Sequence, residues 1–225
     1  MKAVCLLSGG LDSSTVCYIA KARGFQIYAL SFDYGQRHIK EIESAKKIAE
    51  LVGAKEHKIL KINLDQIGGS ALTDDLEVPH DRNIDEMSRE IPITYVPMRN
   101  TILLALAAAY AEVIEADAIF AGMNAVDYSG YPDCRPEYIK AMQETIRLGS
   151  KLGVKGEKII KIETPIIKMS KAEIIKEGMK LGVPYQYTWS CYHGKEKACG
   201  ICDSCVLRLN GFKEAGLIDP IDYEK

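Results

Sequence analysis

The chain has 225 residues, 47% apolar and 27% charged, and 29 Lys plus Arg against 31 Asp plus Glu give a formal net charge of -2. A chain of that length buries about 70% of its extended surface on folding, which removes the need for a disulfide scaffold. The composition excludes disordered and collagen-like chains. The charge balance excludes a general DNA-coating protein, while leaving room for a local basic cleft.

From the N-terminus, Ala3 to Leu7 reads as a buried strand, because Ser8, Gly9, Gly10 and Asp12 arrive too early for a secretory signal. The pattern then predicts a helix over Leu11 to Ala22, a strand over Gln26 to Phe32, a helix from about His38 to Val52 closed by Gly53, and a strand over His57 to Ile62. Asn63 to Pro97 is rich in Gly, Asp, Arg and Pro and long for a compact loop; it is either a substrate cover or an exposed insertion. Met98 to Ile114 has the composition of a buried helix and is too short for a membrane span, and Ala118 to Ala121 ends the next strand. After a break near Gly149, Ile159 to Ile162 resume a strand. Ser170 then caps a helix carrying Ala172, Ile175 and Met179, with Glu173 completing a capping box, and Gly182 and Pro184 stop it. Strands alternating with helices predict an α/β fold with a mostly parallel sheet covered on both faces. A soluble, cytoplasmic protein is expected. The expected organisation is an α/β domain over 1–185 and a small cysteine-bearing helical segment, 186–225, packed on it.

Ser8-Gly9-Gly10-Leu11-Asp12-Ser13 lies between the first strand and the first helix. Adjacent glycines allow close backbone approach, and helix-start amides with Ser hydroxyls hold phosphate oxygens. The segment lacks the Lys-Ser/Thr of the ordinary P-loop and the spacing of the dinucleotide fingerprint, which disfavours both of those classes. Asp12 is either a helix cap or a magnesium ligand. Farther on, Arg99 and Asn100 open the central helix and suit phosphate or carboxylate recognition, or a helix-start hydrogen-bond network.

Of seven cysteines, an odd number, Cys191, Cys199, Cys202 and Cys205 crowd together, the last three as CxxCxxC. That spacing suits a tetrahedral zinc shell better than an iron-sulfur cluster, and four thiolates leave no open position, so the metal is expected to be structural. His193 within the loop is expected to be an exposed or hydrogen-bonded histidine. Cys5 and Cys17 are core candidates. Cys134, in a polar Gly/Pro segment, is open to a nucleophilic, packing or substrate-contact role.

SGGLDS at Ser8 to Ser13 resembles the phosphate loop of the ATP pyrophosphatase superfamily, whose fold is of the Rossmann-like, adenine nucleotide alpha hydrolase type. The resemblance implies that ATP, with magnesium, lies along Leu7, Ser8, Gly9, Gly10, Leu11, Asp12, Ser13, Ser14, Thr15, Val16 and Cys17, with adenosine at Ser31, Phe32 and Gln36. In combination with SFDYGQRH, PMRN, DYSGYPDCR (Asp127 to Arg135) and the four-Cys loop, the chain closely resembles the QueC family of queuosine biosynthesis over essentially its whole length. That family resemblance implies ATP-dependent conversion of 7-carboxy-7-deazaguanine and ammonia to 7-cyano-7-deazaguanine (preQ0), with one structural zinc per chain. A homodimer is expected, with no membrane and no obligatory nucleic acid. A deazaguanine edge needs donors and acceptors and its ring needs a planar contact, so Arg99, Asn100, Asp127, Tyr128, Asp133 and Arg135 become substrate-pocket candidates; Tyr131 either stacks or packs the loop. The resemblance places the segment carrying Lys161, Thr164, Pro165, Lys168, Ser170 and Lys171 near ATP, where a cation, Lys161 or Lys168, stabilises departing phosphate charge, although Lys is also a common surface residue. Asp12 and Arg99 complete the catalytic candidates. The competing classes are an ATP-dependent tRNA thiolation enzyme, which needs a sulfur-carrying cysteine system, and a nonenzymatic zinc module, which leaves the phosphate loop unexplained.

Overall fold

The computed structural model describes residues 1–34, 40–74, 91–126, 131–193 and 196–224. Five strands, β1 (Lys2–Leu6), β2 (Gln26–Asp33), β3 (Glu56–Lys61), β4 (Ala118–Phe120) and β5 (Lys161–Glu163), form one parallel sheet in the order β3-β2-β1-β4-β5. The helices are α1 (Leu11–Ala22), α2 (Lys40–Val52), α3 (Arg99–Val113), α4 (Pro136–Gly149), α5 (Lys151–Val154), α6 (Lys171–Lys180) and α7 (Asp203–Ala215). Among the described residues, no helix is long and apolar enough to cross a membrane.

Side chains alternate across β1 and build two cores. Ala3 and Cys5 join Val16, Cys17, Ile48, Ile174 and Phe212 on the face covered by α1, α2, α6 and α7. Val4 joins Leu30, Leu104, Ile119, Ile139 and Ile146 on the face covered by α3 and α4. Burial on both faces explains why the strands read as short apolar runs rather than alternating ones.

The parallel α/β expectation holds, and the differences are local. The sequence reading assigned no helix between Cys134 and Gly149, where α4 runs. Its signal is there: Pro136 suits a first helical turn, and Ile139, Met142 and Ile146 form one buried stripe. The last strand lies about two residues later than expected, because β5 pairs only from Lys161, opposite Ala118, while the buried Ile160 just before it packs against the α4 side of the core.

From β1 the chain moves outward through β2 and β3, then crosses back to β4 on the other side of β1. The loops leaving β1 and β4 therefore diverge at the carboxyl ends of the strands, and a crevice opens between them.

Candidate active site

A cavity of about 270 Å³ fills that crevice. Its floor is Leu6, Leu7, Leu30 and Phe32 from β1 and β2 and the residues just after β1, and Ala121 to Asn124 after β4. Gly9 has φ 85°, and a Cβ there would lie 2.4 Å from the Glu41 carbonyl oxygen and 2.6 Å from the Ala45 nitrogen, so only glycine lets the loop seat against α2. Gly122 does the same from β4: a Cβ would come within 3.1 Å of the Ser13 nitrogen. Gly10 is the N-cap of α1 and offers no side-chain acceptor, so the first-turn amides of Leu11, Asp12 and Ser13 have no intrahelical partner and open on the cavity. Ser8 Oγ and Ser13 Oγ sit 2.9 Å apart at the rim of this turn.

Opposite the loop stands Lys171 at the start of α6, fixed there by the Ser170–Glu173 capping box. Its Nζ donates to both Asp12 carboxylate oxygens at 2.7 and 2.8 Å. The pair puts a buried cation beside a turn of free amides, the combination that binds a polyanion.

The far end of the cavity is built by α3 and the loop before α4. Met98, with φ 55°, is a left-handed N-cap that turns the chain so that Arg99 and Asn100 enter α3 at the cavity wall. The Arg99 guanidinium lies 5.8 Å from the Tyr34 ring centre. Burial disfavours its charge, but Tyr34, Tyr131, Tyr192 and Asp133 more than offset this, and it stays cationic. Asn100 is held by Asp133, whose carboxylate accepts from the Asn100 backbone N–H at 3.0 Å and whose carbonyl accepts from the side chain at 3.3 Å. Tyr131 and Thr94 share a buried hydroxyl bond of 2.8 Å. Burial, then Asp133, push the Cys134 thiol up to about 12, so it is no nucleophile at neutral pH. Burial pushes the Glu41 carboxyl, on the first turn of α2, up to about 7, with Arg99 opposing and Cys191 adding to the rise.

The remaining wall comes from the cysteine loop. The Trp189 backbone N–H donates to the Gly9 carbonyl at 2.9 Å, tying this loop to the Ser8–Ser13 loop. The Cys199 and Cys205 sulfurs are 3.9 Å apart, close to the edge of a tetrahedron with metal–sulfur bonds of about 2.3 Å. Hydrogen bonds from Cys202 and Cys205 hold the Cys191 thiol well below its usual range, and the Cys199 and His193 amides donate to the same sulfur. Ligand atoms of Cys191, His193, Cys199 and Cys202 all lie within 4.8 Å of one another, so this donor set fits a thiophilic metal. Behind it, Arg208 of α7 donates two hydrogen bonds to the Asp219 carboxylate, both side chains 2% exposed, and a further one to Thr188 Oγ1 at 2.8 Å.

Residues 2–216 match the family described as queuosine biosynthesis protein QueC. The chain belongs to the QueC family. A protein of Trichodesmium erythraeum described as 7-cyano-7-deazaguanine synthase is 62% identical over 222 residues, covering 98% of this chain and 100% of that one. One of the same description from Thermoplasma volcanium is 58% identical over 224 residues, covering 100% and 91%. Among solved structures, a predicted subunit of tRNA methyltransferase from Methanocaldococcus jannaschii matches with a TM-score of 0.51 at 14% identity, covering 100% of this chain and 93% of that one, a likeness of fold alone.

Within this QueC-family chain the predicted site residues divide. Leu7, Ser8, Gly10, Leu11, Asp12, Ser13, Phe32, Arg99, Asn100 and Tyr131 line the cavity. Others lie outside that lining. Ser14 and Thr15 turn back to the Gly10 and Leu11 carbonyls, Thr15 also meeting the Tyr185 hydroxyl, while Val16 and Cys17 face the core. Ser31 bonds the Leu7 carbonyl and His57, so it joins strands rather than facing a nucleotide. Asp133 acts through Asn100, and Arg135 is exposed at the start of α4. Lys161 is exposed at the amino end of β5, across the sheet from the cavity, and Lys168 is exposed outside its lining. Asp12 is not the helix cap, since Gly10 is. His193 joins the cysteine cluster instead of standing apart from it. Of the long segment expected as a cover, Leu72 reaches the cavity; residues 75–90, Gln36, Asp127 and Tyr128 lie outside the described residues.

The sequence reading missed Glu41, Trp189, Ser190, Tyr192, Ser204 and Arg208, and it placed Lys171 near ATP only as part of a segment whose catalytic candidates were Lys161 and Lys168; all seven line the cavity. Lys171 had a signal in the capping box, which fixes the first residue of α6. The others are brought in by the folding of α2 and the cysteine loop onto the β1 end, a long-range event with no local pattern.

Proposed function

We propose that this chain is an ATP-dependent 7-cyano-7-deazaguanine synthase, converting 7-carboxy-7-deazaguanine and ammonia to the nitrile through an activated acid and an amide. The observation that carries the reading is the QueC-family match over residues 2–216 on a chain whose phosphate loop opens into the cavity. A carboxylate is unreactive towards ammonia until its oxygen becomes a leaving group. The Ser8 to Ser13 loop and Lys171 suit the phosphates that supply one. The loop amides hold phosphate oxygens, and Lys171, held beside Asp12, stabilises the charge on the departing pyrophosphate; Asp12 would also offer a carboxylate oxygen to a magnesium ion. Arg99 and Asn100 face the substrate carboxylate, and the planar walls at Phe32, Tyr34 and Tyr131 suit a flat heterocycle. Activation by adenylyl transfer is favoured over ADP and phosphate formation, because the first-turn amides stand at a loop without the P-loop lysine.

A zinc ion held by Cys191, Cys199, Cys202 and Cys205 is a structural part of this reading; it would fix the 186–225 segment on the 1–185 domain. The enzyme is taken to act in the cytoplasm as a homodimer on free ammonia, with no membrane or obligatory nucleic-acid partner. The test is purified protein with ATP, magnesium, ammonium and 7-carboxy-7-deazaguanine, with organic and nucleotide products resolved by mass. Label from the α-phosphate should enter the acid intermediate and γ-label should leave in pyrophosphate. Phosphate from the γ position on the intermediate, with ADP as co-product, would refute adenylation.

A further inference from the structure

Two carboxylates are found among the described residues that line the cavity, and Lys171 engages one of them, Asp12. The other is Glu41. Its backbone is pressed against Gly9, and its side chain lines the same cavity as the loop on which the substrate would be activated. Arg99 from α3 stands in the same cavity lining and acts on it electrostatically, and Tyr34 and Tyr192 line the same space.

The chemistry needs a proton acceptor there. An amine that attacks an acyl carbon becomes a cationic nitrogen and must shed a proton before the amide is formed. The other groups of the described lining are unsuited to take it. Cys134 and Tyr34 are each pushed up to about 12 by burial first of all, so they hold their own protons. Arg99 is permanently charged, and Lys171 is committed to Asp12. Burial likewise makes Glu41 a better base than a surface carboxylate.

We propose that Glu41 is the catalytic base that accepts the nitrogen's proton when ammonia displaces the activating group from the substrate carboxyl carbon. This rests on the reaction assigned above. The ammonia nitrogen forms the C–N bond, and the C–O bond to the nucleotide breaks with its electron pair leaving on the phosphate oxygen. One N–H proton passes from that nitrogen to the Glu41 carboxylate and then to water. The amide and the nucleotide are the products of the step.

The experiment compares metal-loaded full-length wild type with Glu41→Gln and Glu41→Asp in two assays. One is acid-dependent exchange of labelled pyrophosphate into ATP without ammonium, which reports activation alone. The other is kcat and KM for amide plus nitrile formation against ammonium and against the acid. Melting curves check that each variant is folded. For Glu41→Gln, exchange should stay within about twofold of wild type while product kcat falls about 10²- to 10⁴-fold, and Glu41→Asp should recover part of the loss. A product kcat near wild type would overturn the proposal. So would an unchanged kcat with a raised KM for the acid, the mark of a residue that reads the heterocycle edge, and so would loss of exchange together with product in a folded variant. If wild type itself shows no exchange, the adenylation reading fails; the kcat comparison then still decides Glu41.

Discussion

The glycine loop at Ser8 to Ser13 and the cysteine loop face each other across one cavity, yet they are fixed by different forces. Ser8 to Gly10 follows a strand buried on both faces and is seated by missing side chains at Gly9 and Gly122, so its shape comes from close packing. The cysteine loop has a far smaller apolar cluster, chiefly Ala71, Trp189, Ala198 and the cysteines themselves, and its turns converge sulfurs instead of hydrocarbon. One wall is therefore made by the core and the other by a donor set. The two meet at the Trp189–Gly9 hydrogen bond, so damage to either should reach the same cavity by a different route.

The largest effect should come from the donor-set wall. Cys202→Ser is expected to remove the metal and with it part of the roughly 10–16 kcal/mol that a structural zinc contributes to a small fold. Metal analysis and limited proteolysis should show an emptied site and cleavage after about residue 190, with β1 to β3 still protected. Retained metal and unchanged melting would show that the wall is packed, not ligated.

Next is the packed wall. Gly9→Ala meets both a left-handed backbone and the Glu41 carbonyl, and should cost about 2–4 kcal/mol of stability with metal content unchanged. ATP affinity should fall at least tenfold in the folded fraction, measured by calorimetry. By contrast a Cβ on Gly10 would meet Ser8 Oγ at 3.4 Å, ordinary contact, so Gly10→Ala should fold normally.

Lysine replacements test which cation serves the cavity. Lys171→Met should lower turnover about 10²-fold, as loss of an electrostatic stabiliser does, and destabilise by on the order of 2 kcal/mol by leaving Asp12 unpaired. Lys161→Met, at the far end of the sheet, should change turnover by no more than about twofold. Equal losses would put the phosphate charge elsewhere.

The smallest effect is on pH dependence. Glu41 is raised from 4.5 to about 7 in the fold, chiefly by burial, so between those values the folded protein keeps a proton that the unfolded chain has released. Stability from this group is therefore lost as pH rises through that window. Subtracting the Glu41→Gln stability curve from wild type should isolate a negative slope there; a flat difference would mean the carboxyl is solvated.

Much of this was legible locally. SGGLDS after an apolar run fixes a strand, a tight turn and a helix start, since each depends on neighbours in the chain; the Ser170–Glu173 box and the CxxCxxC spacing are likewise local. Even so, nothing local says that Lys161 and Lys168 lie outside the cavity lining while Lys171 enters it, because a lysine near a strand end looks the same at either end of the sheet. The amphipathic stripe of α4 was readable as well, but lay hidden between turn residues.

By itself the sequence determined the alternation of elements, the glycine turn before α1 and the thiol set, because periodicity, glycine freedom and ligand spacing act over a few residues. Only the tertiary structure decided which groups meet. The strand order brings the β1 and β4 loops apart, α2 carries Glu41 against Gly9, and α6 delivers Lys171 to Asp12, 159 residues away in the chain. Such meetings are set by how two buried faces of one sheet are covered, a global packing problem that no local pattern encodes.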